Sequence, residues 1–460
     1  MASAAEQLAA NLSFSTFSKA DELKKRIWFT LGALIVYRLG TYIPLPGINF
    51  AAYAQAFEGQ AQGAVGLLNV FNGGAIERLA IFALGIMPYI SASIIMQLMT
   101  SVVPTLEQLK KEGEQGRKVI NQYTRYGTVI LGTLQAYGIA VGLEASQGIV
   151  EDPGWFFRLS TVLTLVGGTM FLMWLGEQVT ARGIGNGISL IIFAGIVAAM
   201  PAAIAQLLEQ GRQGIISTPT MILVLLVAIA LVFLIVFVER AMRKLLIQYP
   251  KRQVGNRMME GQSSHLPLKL NTAGVIPAIF ASSLLLLPLT AAGFTGSQQQ
   301  ALPDWLLTFT SVLGRGQPLY LITYGALIAF FAFFYTAIVF NPKDTADNLK
   351  QQGGFIPGKR PGDQTAEYID YVLTRITVAG AIYLVFVCLV PEMFMSNAGI
   401  SAFLGGTSLL IMVSVTLDTV QQIQGHLFAQ QYEGLIKKSN LRGGKRSKQR
   451  ASRGSKGRRK

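Results

Sequence analysis

The sequence predicts an all-α integral membrane protein, and three observations carry that prediction. Of the 460 residues 51% are hydrophobic and only 14% charged, where a soluble domain carries about a quarter charged. Apolar runs long enough to cross a ~30 Å hydrocarbon core, about 20 residues, recur along the whole chain. Lys and Arg gather in alternate connections between those runs.

Ten segments have the length and apolarity of a span: 27–43, 79–103, 124–145, 155–176, 187–208, 219–238, 273–292, 317–340, 375–396 and 402–421. Residues 1–18 hold no apolar core with a small-residue cleavage site, so the first span is expected to act as an uncleaved anchor. With both termini in the cytoplasm, the segments 1–26, 104–125, 177–187, 239–272, 341–375 and 422–460 face that side. They hold 34 of the 39 Lys and Arg, so the positive-inside rule predicts that orientation. Five spans before residue 210 and five after make two halves of odd number. If the halves are repeats, they insert with opposite topology and place a working site at the midplane between them.

The expected organisation is a cytoplasmic segment 1–26, an N-terminal half 27–208, a C-terminal half 209–421 and a basic tail 422–460. The C-terminal half carries two long cytoplasmic loops, 239–272 and 341–375, and no part outside the spans is large enough to fold alone. The final stretch, 443–460, has no apolar residue beyond Ala451 and is expected to be disordered, meeting anionic lipid head groups first and RNA second.

The membrane interior is nearly clear of ionisable groups, which disfavours an ion-coupled carrier. Arg38, Arg158, Glu177 and Asp418 lie toward span ends and Glu392 near the outer end of the ninth span; most read as snorkelling interface anchors. "GGFIPGKR" (353–360) has the spacing of a phosphate-binding loop but lacks the Ser or Thr that follows it and the strand that precedes it. His265 and His426 have no neighbouring ligand cluster, Cys388 is the only cysteine and rules out an intrachain disulfide, and no catalytic triad is visible. No enzyme activity, cofactor or metal is expected. Force for any transport has to come from a partner.

"GIMPYISASII" (85–95) raises a sharper question. On a helix over 79–103, Ile86 and Ile90 share a face, Ser91 lies about 100° further round, and Pro88 loosens the helix one turn below Ile90. An ordinary kinked span explains these residues alone. Two neighbours argue for more. "GAVGLLNVFNGG" (63–74) is a short apolar run bracketed by glycines, fit for a re-entrant or interfacial segment. The two long loops carry more basic residues than orientation needs, as a docking surface for something large and acidic would.

Long specific strings now decide the reading. They are "PLPGI" (44–48), "FNGGAIERLAIFALGIMPYISASII" (71–95), "KKEGEQGRKVINQYTRYG" (110–127), "FLMWLGEQVTARGIGNGISLIIFAGI" (171–196), "SSHLPLKLNTAGVIPAIFASS" (263–283) and "NPKDTADNLKQQGGFIPGKRPGDQTAEYIDYVLTR" (341–375). Through them the chain resembles the bacterial SecY family, channel subunits of protein translocases, from about Glu22 to Lys438. The resemblance implies ten transmembrane helices in two pseudo-symmetric inverted halves around a central hourglass pore. It implies a pore ring of Ile86, Ile90, Ile192, Ile279 and Ile411. It implies a plug over 63–74, with Gly63, Leu67, Leu68, Val70, Phe71, Asn72, Gly73 and Gly74. Ser91, Gln135 and Asn271 match the polar cluster of a lateral gate between helices two and three and helices seven and eight. Arg252, Arg257 and Arg360 match positions that dock the motor or the ribosome. Asn256 stands where the family often carries a basic residue, leaving Arg257 single at that loop tip, and the tail after Lys438 is longer and more basic than the family pattern.

The partners so implied are the small membrane subunits SecE and SecG, the motor ATPase SecA, the ribosome, signal-bearing preproteins, anionic lipids, and accessory SecDF and YidC. The implied location is the bacterial plasma (inner) membrane, or a thylakoid membrane in a cell that has one. Physical chemistry supports the same function separately. A narrow apolar ring cannot replace an ion's water and blocks it by dewetting, while flexible side chains still close around a passing polypeptide. Two other classes compete: a secondary transporter of a small solute and a non-conducting scaffold that anchors ribosomes.

Overall fold

The computed structural model describes residues 21–60, 64–145, 148–214, 216–250, 252–254, 257–259, 263–295, 317–398 and 405–429. In chain order the elements begin with helices α1 (Asp21–Gly40), α2 (Phe50–Gln60), α3 (Ala64–Phe71), α4 (Met87–Val102), α5 (Pro104–Lys111), α6 (Glu114–Ala145), α7 (Trp155–Arg182), α8 (Gly187–Arg212) and α9 (Thr218–Arg240). Strands β1 (Met242–Gln248), β2 (Arg252–Val254), β3 (Arg257–Met259) and β4 (Ser263–Lys269) follow. The chain continues through α10 (Ile276–Thr295), α11 (Pro318–Val339), α12 (Pro342–Gln351) and α13 (Asp363–Ala398). A last helix, α14, covers 406–429.

A helix therefore lies on each of the ten expected spans. Among the described residues six helices are long and apolar enough to cross a bilayer unaided, and α4 with α5 makes a seventh candidate bent by 97°. Val103 caps both members of that pair in extended conformation, and Pro104 opens α5 in the first turn, where its missing N–H leaves no bond unmade.

The helix expected over 79–103 starts late. Residues 79–86 are a string of turns, with Leu79 at φ 41° and Gly85 at φ 57°. Other partners claim their backbone: Ile81 N donates to Ile43 O (2.9 Å), Ala80 N to Ala75 O (2.9 Å), and the Asn72 amide reaches Ala83 O (2.8 Å). Pro88 consequently occupies the first turn of α4, a position whose N–H has no helical partner in any residue. It starts the helix rather than loosening it.

Two compact units emerge from the packing. The first comprises 1–36, 175–190 and 415–460. Its core is Leu23, Ile184 and Leu427, with Ile27 and Ile423 against them. The turn before α8 is gripped there: Thr30 Oγ1 accepts from Ile184 N (3.1 Å) and Gln422 Oε1 from Gly185 N (2.8 Å).

The second unit, 37–174 and 191–414, holds two further cores. One gathers Leu45, Ile48, Tyr53, Phe57, Leu79, Leu84, Ile139, Leu143, Ile149 and Phe157. The strand-like segment 43–49 threads it, bonding to 79–81 on one side and to 149–151 on the other. Arg158, which lies toward a span end, places its guanidinium on Glu144 (Nη2–Oε2 2.6 Å), whose other oxygen accepts from Gly154 N (3.0 Å). The pair ties α6 to α7 across the short loop between them.

The other core joins the two long loops. β1 pairs antiparallel with β4 from Met242↔Lys269 to Gln248↔Ser263, and β2 with β3 beyond them, so 239–272 is a β-ribbon rather than irregular chain. Leu245 and Ile247 alternate inward on β1 and meet Leu268, Leu349, Ile356, Ile369 and Ile376. Gln248 and Phe355 exchange backbone bonds (2.9 and 3.0 Å), joining the ribbon to 341–375. That exchange also holds the 353–360 glycine stretch as an edge partner of the ribbon. Truncating the fully buried Ile369 to alanine is expected to loosen this core by about 2–5 kcal/mol. The readout is faster tryptic cleavage within 341–375 in membranes; a cleavage pattern identical to wild type would contradict the joined-loop core.

Candidate functional site

Residues from the opening turns of four helices, all of them within the second unit, converge on one small cavity. Its lining is Phe71, Asn72, Ile86, Met87, Ile90, Ile192, Ile279, Ser282 and Ile411, around about 10 Å³. That is room for about one water at most, and the surroundings are almost wholly apolar. Ile86 is the N-cap of α4 and its carbonyl receives the Ile90 N–H (3.1 Å), so the two stack one turn apart. Ile192 and Ile411 lie in the second turns of α8 and α14, and Ile279 in the first turn of α10. Ile86, Ile90, Ile192 and Ile411 are buried, and Ile279 is half-buried.

Met87 and Ser282 complete the lining without having been singled out by the sequence. Ser282 follows Ile279 by three residues on α10, a same-face spacing that could have flagged it. Its hydroxyl bonds back to Ile279 O (2.9 Å), which keeps a polar atom satisfied beside the apolar space.

Helix α3 ends at this cavity, and a polar harness holds its end. Asn72 is buried and donates to Ala83 O (2.8 Å). Asn69 Oδ1 accepts from Ile76 N (3.2 Å) and Glu77 N (3.0 Å), folding the chain back on itself. Gly73 and Gly74 make the reversal with φ of 66° and 82°, a left-handed pair that side chains disfavour. Tyr53 on α2 donates its hydroxyl to Ile76 O (2.9 Å). Burial, and secondarily Glu77, pushes that hydroxyl well above the usual tyrosine range, so it remains a donor at any physiological pH. Each neutral bond contributes about 0.5–1.5 kcal/mol net, so the harness amounts to a few kcal/mol.

Arg38 belongs to this harness. It donates to Gly73 O and to Tyr42 Oη (2.9 Å). Sequence spacing could not reveal that contact, because Arg38 and Gly73 are 35 residues apart. Of the 63–74 set, Gly63 lies outside the described residues, Leu67, Leu68 and Val70 lie on α3, and Phe71 and Asn72 reach the cavity.

The remaining sequence-selected residues sit elsewhere in the same unit. Ser91 is buried on α4 and Gln135 half-buried on α6. Asn271 is buried before α10 and directs its amide to Glu239 Oε1 (2.8 Å) and Gly274 O (3.0 Å). α10, which follows Asn271, packs against α4 and α6, the helices bearing Ser91 and Gln135, while the Asn271 amide ties its own segment back to Glu239 on α9. Ser283 Oγ on α10 faces Met87 Sδ on α4 (3.8 Å) across that seam. Arg252 and Arg257 lie on the paired strands β2 and β3, and Arg360 is exposed in the loop whose Phe355 joins the ribbon. Asn256 lies outside the described residues. Among the described residues no group of His, Cys, Asp and Glu is placed to hold a metal ion.

The family model for SecY matches residues 80–420. The chain belongs to the SecY family. Among curated relatives, the protein translocase subunit SecY of Escherichia coli (strain K12) is 54% identical over 425 residues, covering 92% of this chain and 96% of the relative. The subunit of that name from Vibrio cholerae is also 54% identical, over 432 residues, 93% of this chain and 97% of the relative. Among solved structures, a protein-conducting channel matches with a TM-score of 0.65 at 17% identity, covering 88% of this chain and 92% of that one. Sec61 from the canine ribosome–channel complex matches with a TM-score of 0.62 at 16% identity and the same coverage. These likenesses extend the SecY-family fold across nearly all of the chain.

If the isoleucine-lined cavity closes a conducting path, replacing Ile86 and Ile192 together by glycine is expected to raise resting ion conductance in planar bilayers by roughly an order of magnitude or more, since the apolar lining widens. A double variant as silent as wild type would place the seal elsewhere.

Proposed function

We propose that this chain is a protein-conducting channel of the SecY type, passing unfolded polypeptide across the membrane and releasing apolar segments sideways into lipid. The observation that carries the reading is the convergence of five isoleucines from four helices on one nearly volumeless cavity, stoppered by the end of α3. Ile86, Ile90, Ile192, Ile279 and Ile411 act as the pore ring, and 63–74 as the plug. The ring excludes ions because it offers no hydrogen-bonding group to replace hydration. It tolerates any passing sequence for the same reason.

The N-terminal half 27–208 and C-terminal half 209–421 act as the two sides of the channel. Their lateral opening follows the seam where α10 meets α4 and α6, with Ser91, Gln135 and Asn271 beside it. A segment leaving by that route gains about 0.8 kcal/mol per CH₂ buried in lipid, so sufficiently apolar segments partition and polar ones pass on.

No residue constellation supplies an engine, and the force comes from outside. The β-ribbon and the 341–375 loop are joined through Gln248 and Phe355; Arg360 is exposed in the loop, and Arg252 and Arg257 lie on ribbon strands β2 and β3. That joined platform docks the motor ATPase SecA or the ribosome on the cytoplasmic side. Sec61, a structural neighbour, is described in a ribosome–channel complex. SecE and SecG accompany the chain in the plasma membrane of the bacterium, with both termini cytoplasmic. Preproteins and anionic lipids are its other contacts, and SecDF and YidC its accessories. The basic tail 443–460 meets anionic lipid.

Reconstitution in liposomes with a motor ATPase and a signal-bearing preprotein tests the reading: protease protection of the preprotein is expected only with ATP. Solute uptake driven by an ion gradient without ATP would favour a secondary transporter. Arg360→Glu is expected to reduce motor-dependent translocation by about tenfold while the chain still inserts, because it reverses one charge of an exposed docking surface. Translocation at the wild-type rate would remove Arg360 from that surface.

A further inference from the structure

We infer that Arg38 on α1 and Gly195 on α8 form the seat that holds the plug shut, and so set how often the channel opens at rest. The inference rests on the channel reading above and adds the device that fixes its resting state.

Arg38 meets the plug at its C-terminal end. Its guanidinium donates to the carbonyl of Gly73, two residues past the last residue of α3. That end of a helix collects unpaired carbonyls and partial negative charge, so a cation there both satisfies an acceptor and complements the dipole. The guanidinium is itself held from behind. It bonds Tyr42 Oη (2.9 Å) and lies 4.9 Å from the centre of the Tyr42 ring, which also carries Arg78 at 4.3 Å. When the plug moves away Arg38 keeps Tyr42, so its charge is never stranded and the bond to Gly73 can be remade.

Gly195 supplies the surface beneath. A Cβ at that position would meet Phe71 O at 2.5 Å, Tyr37 Oη at 3.0 Å and Gly73 N at 3.1 Å. Two of those three atoms are plug backbone, which cannot rotate aside as a flexible side chain would. The contact is reciprocal: a Cβ on Gly73 would meet Gly195 Cα at 3.1 Å and Arg38 Nη1 at 3.2 Å. The plug's end is therefore pressed between a guanidinium and a bare stretch of helix backbone. Neither element contributes through the isoleucine contacts, so seat and ring are separable by mutation.

The test uses the full-length chain with its co-purifying membrane subunits in planar bilayers, reading resting ion conductance. Arg38→Gln and Gly195→Ala are each expected to raise the time spent conducting by about tenfold or more, the scale of losing one charge-assisted bond. Arg38→Lys, which keeps the charge without the fork, is expected to recover part of the closed time. Gly138→Ala, where the added carbon meets nothing within 4 Å, is expected to match wild type. The same substitutions in a chain lacking 64–71 are expected to add nothing to the leak that the deletion itself causes. If the deletion leaks and both seat variants stay silent, the seat is wrong and the channel reading stands. If the deletion is silent, the plug reading falls and the seat with it. If Arg38→Gln and Gly195→Ala leak further in the deleted chain, they act elsewhere and the inference is overturned. Should Arg38→Gln fail to assemble, Gly195→Ala changes no charge and decides the same comparison.

Discussion

A pore wide enough for an extended polypeptide and closed to ions needs a constriction that offers water nothing to bind. In the proposed channel five isoleucines meet that constraint, and the rest of the proposal depends on them. They come from the opening turns of four helices, α4, α8, α10 and α14, and no single helix could supply such a ring. A collar built from separate helix beginnings widens by small tilts of each, without breaking any helix's own bonds. Dryness and compliance thus have one origin. The side chains neither hydrogen-bond to one another nor lock into a fixed lattice.

The seal at the collar contrasts with the means that hold the plug. Among the described residues, hydrogen bonds fix the chain at and after the end of α3: Asn69 with the backbone of 76–77, Asn72 with Ala83 O, Tyr53 with Ile76 O and Arg38 with Gly73 O, while Phe71 packs in the apolar cavity. Polar bonds exchange readily with water, so their net worth is small, whereas exposing a packed apolar surface carries its full transfer cost. In the proposed channel, a plug held by such bonds would be displaced at modest cost and return to a defined place. The division assigns exclusion to apolar surfaces and registration to hydrogen bonds.

Much of this was legible before any coordinates. Length and apolarity anticipated a helix on each of ten segments, six of which are long and apolar enough to cross a bilayer unaided, because a helix crossing lipid satisfies its own backbone. Boundaries were less so. Pro88 read as a defect inside a helix over 79–103, yet it sits in the first turn of α4, since 79–86 is claimed by Ile43, Ala75 and Asn72. The β-ribbon was missed for a related reason: its alternation is short, and its inward side chains find their partners on 341–375, about a hundred residues away. The contacts of Arg38 with Gly73 and of Arg158 with Glu144 were not legible in the sequence, because they form only through tertiary packing. The isoleucine positions came from resemblance, as nothing in local pattern distinguishes a pore-facing Ile from a lipid-facing one.

The central claim is that the isoleucine collar surrounds the passing chain, and site-specific photocrosslinking addresses it most directly. A photoreactive side chain is placed in turn at residues 86, 90, 192, 279 and 411, and a preprotein is arrested midway through translocation. A collar around the passage requires adducts to the arrested polypeptide from all five positions, at matching points along its length. Adducts to lipid alone, or to polypeptide from one helix only, would mean that these side chains do not enclose the path.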